Sequence, residues 1–166
     1  MGYTERARAR YAGGRPDAET REIQRRFMRR IERGLAPFAV VLETRGRTTG
    51  RPRRVPLAIV RRRGIRYLVS MLGQDVGWVR NVRAAGGRAA LIRRHREEVV
   101  LSEVPVAERP PILRRYLLVA FGARPHMAVR WSSPRQEFER VAGDYPVFRV
   151  DPATGPGISP PPPARS

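Results

Sequence analysis

The sequence predicts a mainly β protein, an antiparallel β-barrel with flanking helices, and two observations carry this prediction. Six short segments rich in Val, Leu, Ile and aromatic residues recur along the 166-residue chain. Two of the links between them, RRRG at 61–64 and RHR around His95, are short enough for hairpins. Consecutive hairpins interrupted only by brief helical segments are typical of an antiparallel barrel and not of a parallel, doubly wound sheet.

The first predicted element is an amphipathic basic helix that runs from Asp17, a residue suited to the N-cap, to Arg33. Gly34 is placed to end this helix. The apolar residues at helical spacing are Ile23, Phe27, Met28, Ile31 and Leu35. We expect the helix to pack on the barrel, and a lid or a contact with a membrane surface is the alternative.

The remaining elements follow from apolar runs and their periodicity. Strands are predicted at 38–44, 54–60, 66–72, 88–94, 97–104 and 146–150, and helices at 76–85 and about 108–121. Alternation places Phe38, Val40 and Leu42 on one face of the first strand. In the fifth strand Val99 and Leu101 share a face. We expect a single domain over 17–151, a mobile basic arm over 1–16 and a disordered Pro-rich tail over 152–166.

The composition argues against several function classes. Cysteine is absent, which excludes thiol catalysis and thiolate metal sites for this chain. The GxGxxG, GxSxG, HExxH and Walker patterns are absent too. The two histidines, His95 and His126, are interpreted as ordinary surface or packing residues, and no metal site is predicted. Any redox chemistry therefore has to come from a bound cofactor.

The formal net charge of +19 raises the question of nucleic-acid binding. All 34 basic residues are arginine and are spread along the chain, which is typical of a GC-rich coding sequence. No helix-turn-helix, zinc-finger or aromatic RNA-binding pattern accompanies them. We expect no specific nucleic-acid partner, and an arginine-rich nucleic-acid-binding protein is the less favoured alternative. Without an apolar run of ~20 residues or a signal peptide, the protein is expected in the cytoplasm, with peripheral membrane contact through the basic helix left open.

Two segments stand out. In GRTTGRPR, residues 46–53, glycines let the backbone turn so that amide groups and threonine hydroxyls converge on an anion. In SMLGQDVGWVRNVRAAG, residues 70–86, a strand passes through Gly73 into a helix that carries Trp78, Asn81 and Val82 on one face. Such a tryptophan beside an amide suits a flat aromatic ligand. The plainer interpretations are a solvated hairpin tip and an amphipathic helix with a core tryptophan.

In order and spacing, LETRGRTTGRPRRVPL, YLVSMLG and GWVRNVRAAG together resemble the deazaflavin-dependent nitroreductase family. The resemblance covers roughly residues 38–150 and extends to ERPPILRRYL and YPVFRV. It implies a split β-barrel of the flavin-reductase and pyridoxamine-oxidase type. It also implies coenzyme F420 as cofactor and hydride transfer between it and a small organic substrate, such as a nitroaromatic, a quinone or an enone. FMN is the alternative cofactor, and a non-catalytic cofactor- or lipid-binding barrel is the alternative function.

The resemblance also assigns roles to residues. The phosphate loop would consist of Arg47, Thr48, Thr49, Gly50 and Arg53, with Arg83 extending the anion site. The floor under the deazaflavin ring would consist of Val55, Pro56 and Leu57. The turn facing the ring edge would consist of Ser70, Met71, Leu72 and Gly73, with Trp78 and Asn81 closing the pocket.

Less is implied about catalysis and assembly. The candidates for a proton relay are Ser70, Tyr116 and Tyr145. The sequence departs from the family pattern at Thr48, where many relatives have lysine, and at Leu72, where many have glycine. A monomer or a homodimer is expected.

Overall fold

Six antiparallel strands close into a barrel in the computed structural model, which describes residues 18–153. The strands are β1 Ala39–Arg45, β2 Pro52–Arg62, β3 Ile65–Val69, β4 Arg88–Arg93, β5 His95–Glu103 and β6 Val147–Pro152. Around the barrel their order is β1-β2-β3-β6-β5-β4, and β4 pairs back onto β1. The predicted fold class is confirmed.

Four α-helices and two 3-10 helices flank the barrel within residues 18–153. The α-helices are α1 Ala18–Glu32, α2 Gly77–Ala84, α3 Pro110–Val119 and α4 Arg135–Val141. The 3-10 helices span Val106–Glu108 and Phe121–His126. The predicted N-cap Asp17 and arm 1–16 lie outside the described residues, as does the tail from 154 onward.

Several predicted boundaries need correction. The third strand ends at Val69 and not at 72, because the chain turns at Ser70–Gly73, where Gly73 has a φ of 90°. The helix predicted at about 108–121 is shorter and is flanked by the two 3-10 helices. Pro152 belongs to β6, and the amide of Ala153 still donates to the Glu98 carbonyl at 3.0 Å. The last predicted strand, 146–150, therefore starts one residue later and ends two residues later than expected.

The hairpin between β2 and β3 turns at Arg63 and Gly64, as predicted from the RRRG link. Both residues have positive φ, 50° and 77°, as a two-residue type I′ turn requires. Arg94, between β4 and β5, also has a positive φ of 64°. These tight turns keep consecutive strands antiparallel.

The strand β1 is buried on both faces, which explains its unbroken apolar sequence. Val40 and Leu42 point into the barrel interior, where they share a core cluster with Val99 and Leu101. The intervening Val41 packs outward against α1. Phe38 was wrongly predicted to share the inner face: it precedes the strand and is 51% exposed.

Helix α1 packs on the outside of the barrel, as expected. Ile31 is fully buried with Val41, and Phe27, Met28 and Ile92 pack around them. The helix is terminated at Gly34, whose φ of 77° is compatible with a left-handed C-cap. Another core cluster lies between α3, α4 and the strands β2, β3 and β6. A cleft opens between α1 and α3.

Candidate functional site

The cleft has a volume of about 1240 Å³ and is bounded by α1, the β1–β2 loop, β2, the turn after β3, the start of α2, and the α3 region. Its lining within residues 18–153 contains no Asp, Glu, Lys or Cys side chain. The charged side chains in it are Arg47, Arg53 and Arg54. The cleft is therefore cationic at one end and apolar elsewhere.

The β1–β2 loop shapes the cationic end. The Gly46 amide donates to the Arg51 carbonyl at 2.9 Å, and the Gly50 amide donates to the Gly46 carbonyl at 2.8 Å. Gly50 adopts a φ of 67°, which lets the chain turn sharply. This turn places Thr48 and Thr49 in the cleft lining, whereas Gly50 itself lies outside it.

The three arginines of the cleft differ in their partners. Arg54 is held by Glu43 at 2.7 Å and by Glu32 at 3.4 Å. Arg47 donates to the Asn81 side chain at 3.4 Å. For the Arg53 guanidinium, residues 18–153 provide neither a hydrogen-bond nor an ion-pair partner. Arg53 and Arg47 are consequently the charges that can engage an anionic ligand.

Asn81 connects the loop to α2 and is only 6% exposed. Its Oδ1 accepts hydrogen bonds from the Arg47 amide at 3.3 Å and from the Arg47 guanidinium, and its Nδ2 donates to Thr44 Oγ1 at 3.1 Å. The residue was predicted to close the pocket together with Trp78. Its amide is largely occupied in fixing the loop beside the helix.

Trp78 lies one helical turn before Asn81 and faces both the cleft and the core. Its ring contacts Phe148 with 5.5 Å between centroids and 60° between planes, and it packs against the barrel cluster. The other predicted apolar lining residues also reach the cleft: Val55, Pro56, Leu57, Met71 and Leu72. Together with Trp78 they form an apolar part of the cleft, called the slot below, and the loop forms its cationic part.

The F420H(2)-dependent quinone reductase family model matches residues 17–126. The chain belongs to that family. Coenzyme F420 is the cofactor that this family implies, as predicted. No significant match is found among curated proteins.

Three solved structures are similar to this chain. A protein of unknown function from Agrobacterium tumefaciens has 13% identity and a TM-score of 0.53, over 76% of this chain and 54% of that one. A structure described as a domain-swapped dimer has 19% identity and a TM-score of 0.50, over 81% and 100%. An F420-H2 dependent reductase has 25% identity and a TM-score of 0.43, over 69% and 94%. The chain thus spans about half the length of the first of these proteins, and the first two support the fold alone.

The cleft fits the cofactor of this F420-dependent family. The phosphate and carboxylates of its tail match the unneutralised Arg53 and the neighbouring Arg47, Thr48 and Thr49, and its planar ring matches the slot beside Trp78. No helix among residues 18–153 is long and apolar enough to cross a bilayer. In the same part of the chain, no three His, Cys, Asp or Glu side chains form a group able to hold a metal.

The three candidates for a proton relay differ in position. Ser70 lines the cleft, but its hydroxyl donates to the Gly73 carbonyl at 2.7 Å and so closes the turn. Tyr116 lines the cleft from α3 and is 4% exposed. Tyr145 lies outside the lining, and its Oη accepts a hydrogen bond from the Ala128 amide at 2.8 Å.

Arg83 and Gly73 also lie outside the lining. The Arg83 guanidinium donates to both Glu103 oxygens, at 2.7 and 3.1 Å, and to Gln74 Oε1 at 2.6 Å. Gln74 in turn donates to the Gly143 carbonyl at 2.5 Å. Arg83 therefore braces the turn after β3 from outside and is not placed to extend the anion site.

Several residues of the cleft were not predicted from the sequence. They include Thr44, Arg54, Phe121 and His126, together with four residues of α1: Thr20, Ile23, Gln24 and Phe27. The apolar face of α1 was visible in the sequence, but nothing in its periodicity told which barrel face it would cover. His126 carries no local signal, because its position depends on long-range packing of the 3-10 helix.

Proposed function

We propose that this protein is an F420-dependent oxidoreductase whose electron acceptor is a quinone, with nitroaromatics and enones as further acceptors of the same apolar and planar kind. The observation that carries the proposal is the continuity of one cleft from the cationic loop, past the slot at Trp78, to a wall of α1 and α3 residues. That wall is mainly apolar, with Ile23 and Phe27 from α1 and Leu118 from α3, and Phe38 and Phe121 extend it from the neighbouring segments. An apolar wall suits a ring-shaped acceptor with few polar groups.

The roles assigned by the family resemblance fit this layout at the loop and the slot. Arg47 and Arg53 would hold the phosphate and carboxylates of the tail, assisted by the hydroxyls of Thr48 and Thr49. Val55, Pro56 and Leu57 would support the ring. The backbone of Met71 and Leu72 takes no part in closing the turn after β3, and it would meet the polar ring edge.

Positioning is the main task of the protein in this reaction. When bound, the reduced cofactor supplies a hydride. The slot and the apolar wall would hold donor and acceptor at ~3–3.5 Å and exclude water between them. The barrel beneath the slot makes that geometry rigid, because Trp78 is packed on Phe148 in the core.

The test is a fluorescence titration with F420 and with FMN, followed by turnover assays with menadione, a nitroaromatic and a cyclic enone. We expect micromolar or tighter binding of F420, weaker binding of FMN, and the fastest oxidation of F420H2 with menadione. Faster turnover of the nitroaromatic would overturn the quinone assignment. Tighter binding of FMN than of F420 would mean that FMN is the cofactor. Binding of F420 without turnover of any acceptor would favour the non-catalytic alternative.

The quinone proposal extends to a peripheral contact between α1 and an anionic membrane surface, where lipophilic quinones reside. Ile23 and Leu35 are 51% and 61% exposed, and Phe38 is similarly exposed at the cleft mouth. Five arginines of α1 are exposed as well: Arg21, Arg25, Arg26, Arg29 and Arg30. We expect flotation with vesicles containing phosphatidylglycerol, but not with pure phosphatidylcholine, and its loss in Leu35→Ser. Equal flotation of wild type and Leu35→Ser would contradict the contact.

A further inference from the structure

Asn81 is the only asparagine in the 166-residue sequence, and it is buried in α2. Its Oδ1 accepts hydrogen bonds from the Arg47 amide at 3.3 Å and from the Arg47 guanidinium at 3.4 Å, and its Nδ2 donates to Thr44 Oγ1. We propose that Asn81 is a positioning residue that orients Arg47 through an uncharged oxygen, so that the guanidinium keeps its charge for the anionic tail of the cofactor. This inference rests on the proposed function.

The uncharged acceptor matters because a carboxylate in its place would neutralise the arginine. Arg66, for comparison, donates to both oxygens of Glu97 at 2.7 Å. An anionic ligand that approaches such a pair has to compete with the carboxylate of the protein itself. An amide oxygen accepts the same N–H donors and adds no charge. The Arg47 side chain is therefore oriented by the protein while its charge stays available.

Thr44 connects this arrangement to Arg53, the other arginine of the anion site. Thr44 is only 3% exposed and stands directly opposite Arg53 in the register of β1 and β2. The side chains of directly opposed residues lie on the same face of a sheet. Thr44, Arg47, Arg53 and Asn81 all line the cleft. Through its two hydrogen-bonding ends, Asn81 thus joins Arg47 to the buried strand position beside which Arg53 lies.

Aspartate at position 81 separates this role from a purely structural one. Its carboxylate accepts the same two hydrogen bonds from Arg47, and the Thr44 hydroxyl can turn to donate to it. A structural role is therefore largely kept in Asn81→Asp and lost in Asn81→Ala. The charge of Arg47 behaves in the opposite way, because it is neutralised in Asn81→Asp and kept in Asn81→Ala. The two roles consequently predict opposite orders of affinity for the two variants.

The first test is a fluorescence titration of both variants with F420. We expect Asn81→Asp to bind F420 about tenfold more weakly than wild type, and Asn81→Ala about threefold more weakly. The matched control is Gln74→Glu: Gln74 also accepts from an arginine, Arg83, at 2.6 Å, but it lies outside the cleft lining. This control should bind F420 within about twofold of wild type. Tighter binding by Asn81→Asp than by Asn81→Ala would overturn the proposal.

The second test uses a deazaflavin without the phosphate tail. Asn81→Asp should bind it within about twofold of wild type, because it carries no anionic group to meet Arg47. Equal losses for this ligand and for F420 would show that Asn81 acts on the ring, as a residue that closes the pocket, and would contradict the proposal. Added salt should weaken F420 binding to wild type more than to Asn81→Asp, which has one available charge fewer. An equal salt dependence would also contradict it.

Thr44→Val supplies a variant that leaves Asn81 in place. It removes only the acceptor of Nδ2 and suits a buried strand position, and melting temperature checks its fold. We expect it to weaken F420 binding about threefold and to leave binding of the tail-less ligand unchanged. Unchanged F420 affinity in a folded Thr44→Val would refute the connection to β1.

These outcomes are separable from failure of the proposed function. A wild type that does not bind F420 would refute the proposed function itself. A wild type that binds F420, together with an Asn81→Asp variant that binds it equally well, would refute this inference alone.

Discussion

Arg53 enters the cleft without an ionic partner among residues 18–153, and Arg47 is held only by an amide, so both can engage the tail of the cofactor. We expect Arg53→Ala and Arg47→Ala each to weaken F420 binding by about tenfold or more, since a charge-assisted hydrogen bond contributes ~1.5–3 kcal/mol. Arg47→Lys should recover part of the loss, because lysine lacks the bidentate fork. Fluorescence titration measures these affinities, with melting temperature recorded alongside.

Arg51→Ala is the matched control, because Arg51 lies in the same hairpin but outside the cleft lining. A deazaflavin without the phosphate tail provides a second control, as its affinity should not respond to either arginine. If both cleft variants bind F420 like wild type while melting normally, the loop is a solvated hairpin tip and not the anion site.

Trp78 serves the core and the slot at once. Its ring packs on Phe148 at 5.5 Å, so Trp78→Ala should lower the free energy of unfolding by ~3 kcal/mol. It should also weaken binding of both F420 and the tail-less deazaflavin. Trp78→Phe keeps part of the packing, so urea denaturation and ligand titration of this variant separate the two effects. If Trp78→Phe is stable and binds both ligands as tightly as wild type, the Trp78 ring does not contact the deazaflavin ring.

The loop, slot and turn segments of the site were predictable because their residues lie close together in sequence and act through their own local turns. The partners of Asn81, Ser70 and Arg83 were not predictable. Those of Asn81 and Arg83 depend on atoms brought near by the barrel, Arg47 for Asn81 and Glu103 for Arg83. The Gly73 carbonyl that engages Ser70 lies three residues further along the same turn, whose geometry the apolar run did not reveal. Residue type tells what a side chain can do, and the long-range fold decides whether it is already engaged.

Helix α1 is joined to the barrel by an ionic cluster centred on Glu43, which pairs with Arg54 and Arg96 while Arg54 also reaches Glu32 of α1. Burial alone would raise the pKa of Glu43, but hydrogen bonds and Coulomb attraction from Arg96 and Arg54 outweigh it and lower the pKa. Because the pKa of Glu43 is lower in the folded than in the unfolded protein, its ionised carboxylate stabilises the fold. This stabilisation is complete above the unfolded-state pKa of 4.5 and is lost as the pH falls below that value.

We therefore expect wild type to lose more stability than Glu43→Gln between about pH 5 and about pH 3, measured by thermal melting. The pKa of Glu97 is also lowered, chiefly by its hydrogen bonds with Arg66. Glu97 therefore adds a loss of stability in acid that is the same in wild type and in Glu43→Gln. Glu108→Gln, at an exposed carboxylate, is the control and should follow wild type. Parallel acid curves for wild type and Glu43→Gln would show that the cluster adds no pH-dependent stability.

The segments 104–109 and 142–145 are held together by Arg109, which is only 4% exposed. Its guanidinium donates to the carbonyls of Val104, Ala142 and Tyr145 at 2.9, 3.1 and 3.3 Å, and to Glu103 at 3.2 Å. Burial lowers the pKa of Arg109, and the attraction of Glu103 opposes that shift.

Arg109→Leu should cost ~3 kcal/mol of stability, because it leaves three carbonyls without this donor. The exposed Arg115→Leu in α3 is the control. Chemical denaturation checks both, and a loss no larger than that of the control would mean that water replaces the guanidinium.

At the scale of elements, the barrel strands and the helices α1, α2 and α3 were visible as apolar periodicity. The helix α4 was not, because among its seven residues Phe138 alone is buried. The end of β3 was also missed, since SML at 70–72 continues the apolar run of the strand while Gly73 turns the backbone. Apolar periodicity predicts an element that buries a whole face. It does not predict a polar segment that is held by a single buried side chain.

For the whole molecule, the charge of +19 predicts weak and unspecific association with nucleic acid at low salt. We expect binding to a random duplex to fall steeply as salt rises from about 50 to about 200 mM, because counterion release drives it. F420 binding, which also buries a ring, should weaken much less. Sequence-selective DNA binding that survives the higher salt would contradict the expectation of no specific nucleic-acid partner.

Assembly stays a prediction at this scale, with a monomer or a homodimer expected. Light scattering on the eluting protein measures the mass directly. A mass of two chains that persists on dilution would show a homodimer. The same measurement on Leu35→Ser would tell whether Leu35, exposed just after α1, contributes to it.

The strand order also affects how the chain folds while it is being synthesised. β6, the last strand in sequence among residues 18–153, inserts between β3 and β5 and is hydrogen-bonded to both. While a ribosome is still synthesising the chain before Val147, β3 and β5 each present an unpaired edge, and the interior lacks Phe148. Such edges are templates for pairing with other chains, so nascent or C-terminally shortened molecules should aggregate or recruit chaperones until the final strand emerges.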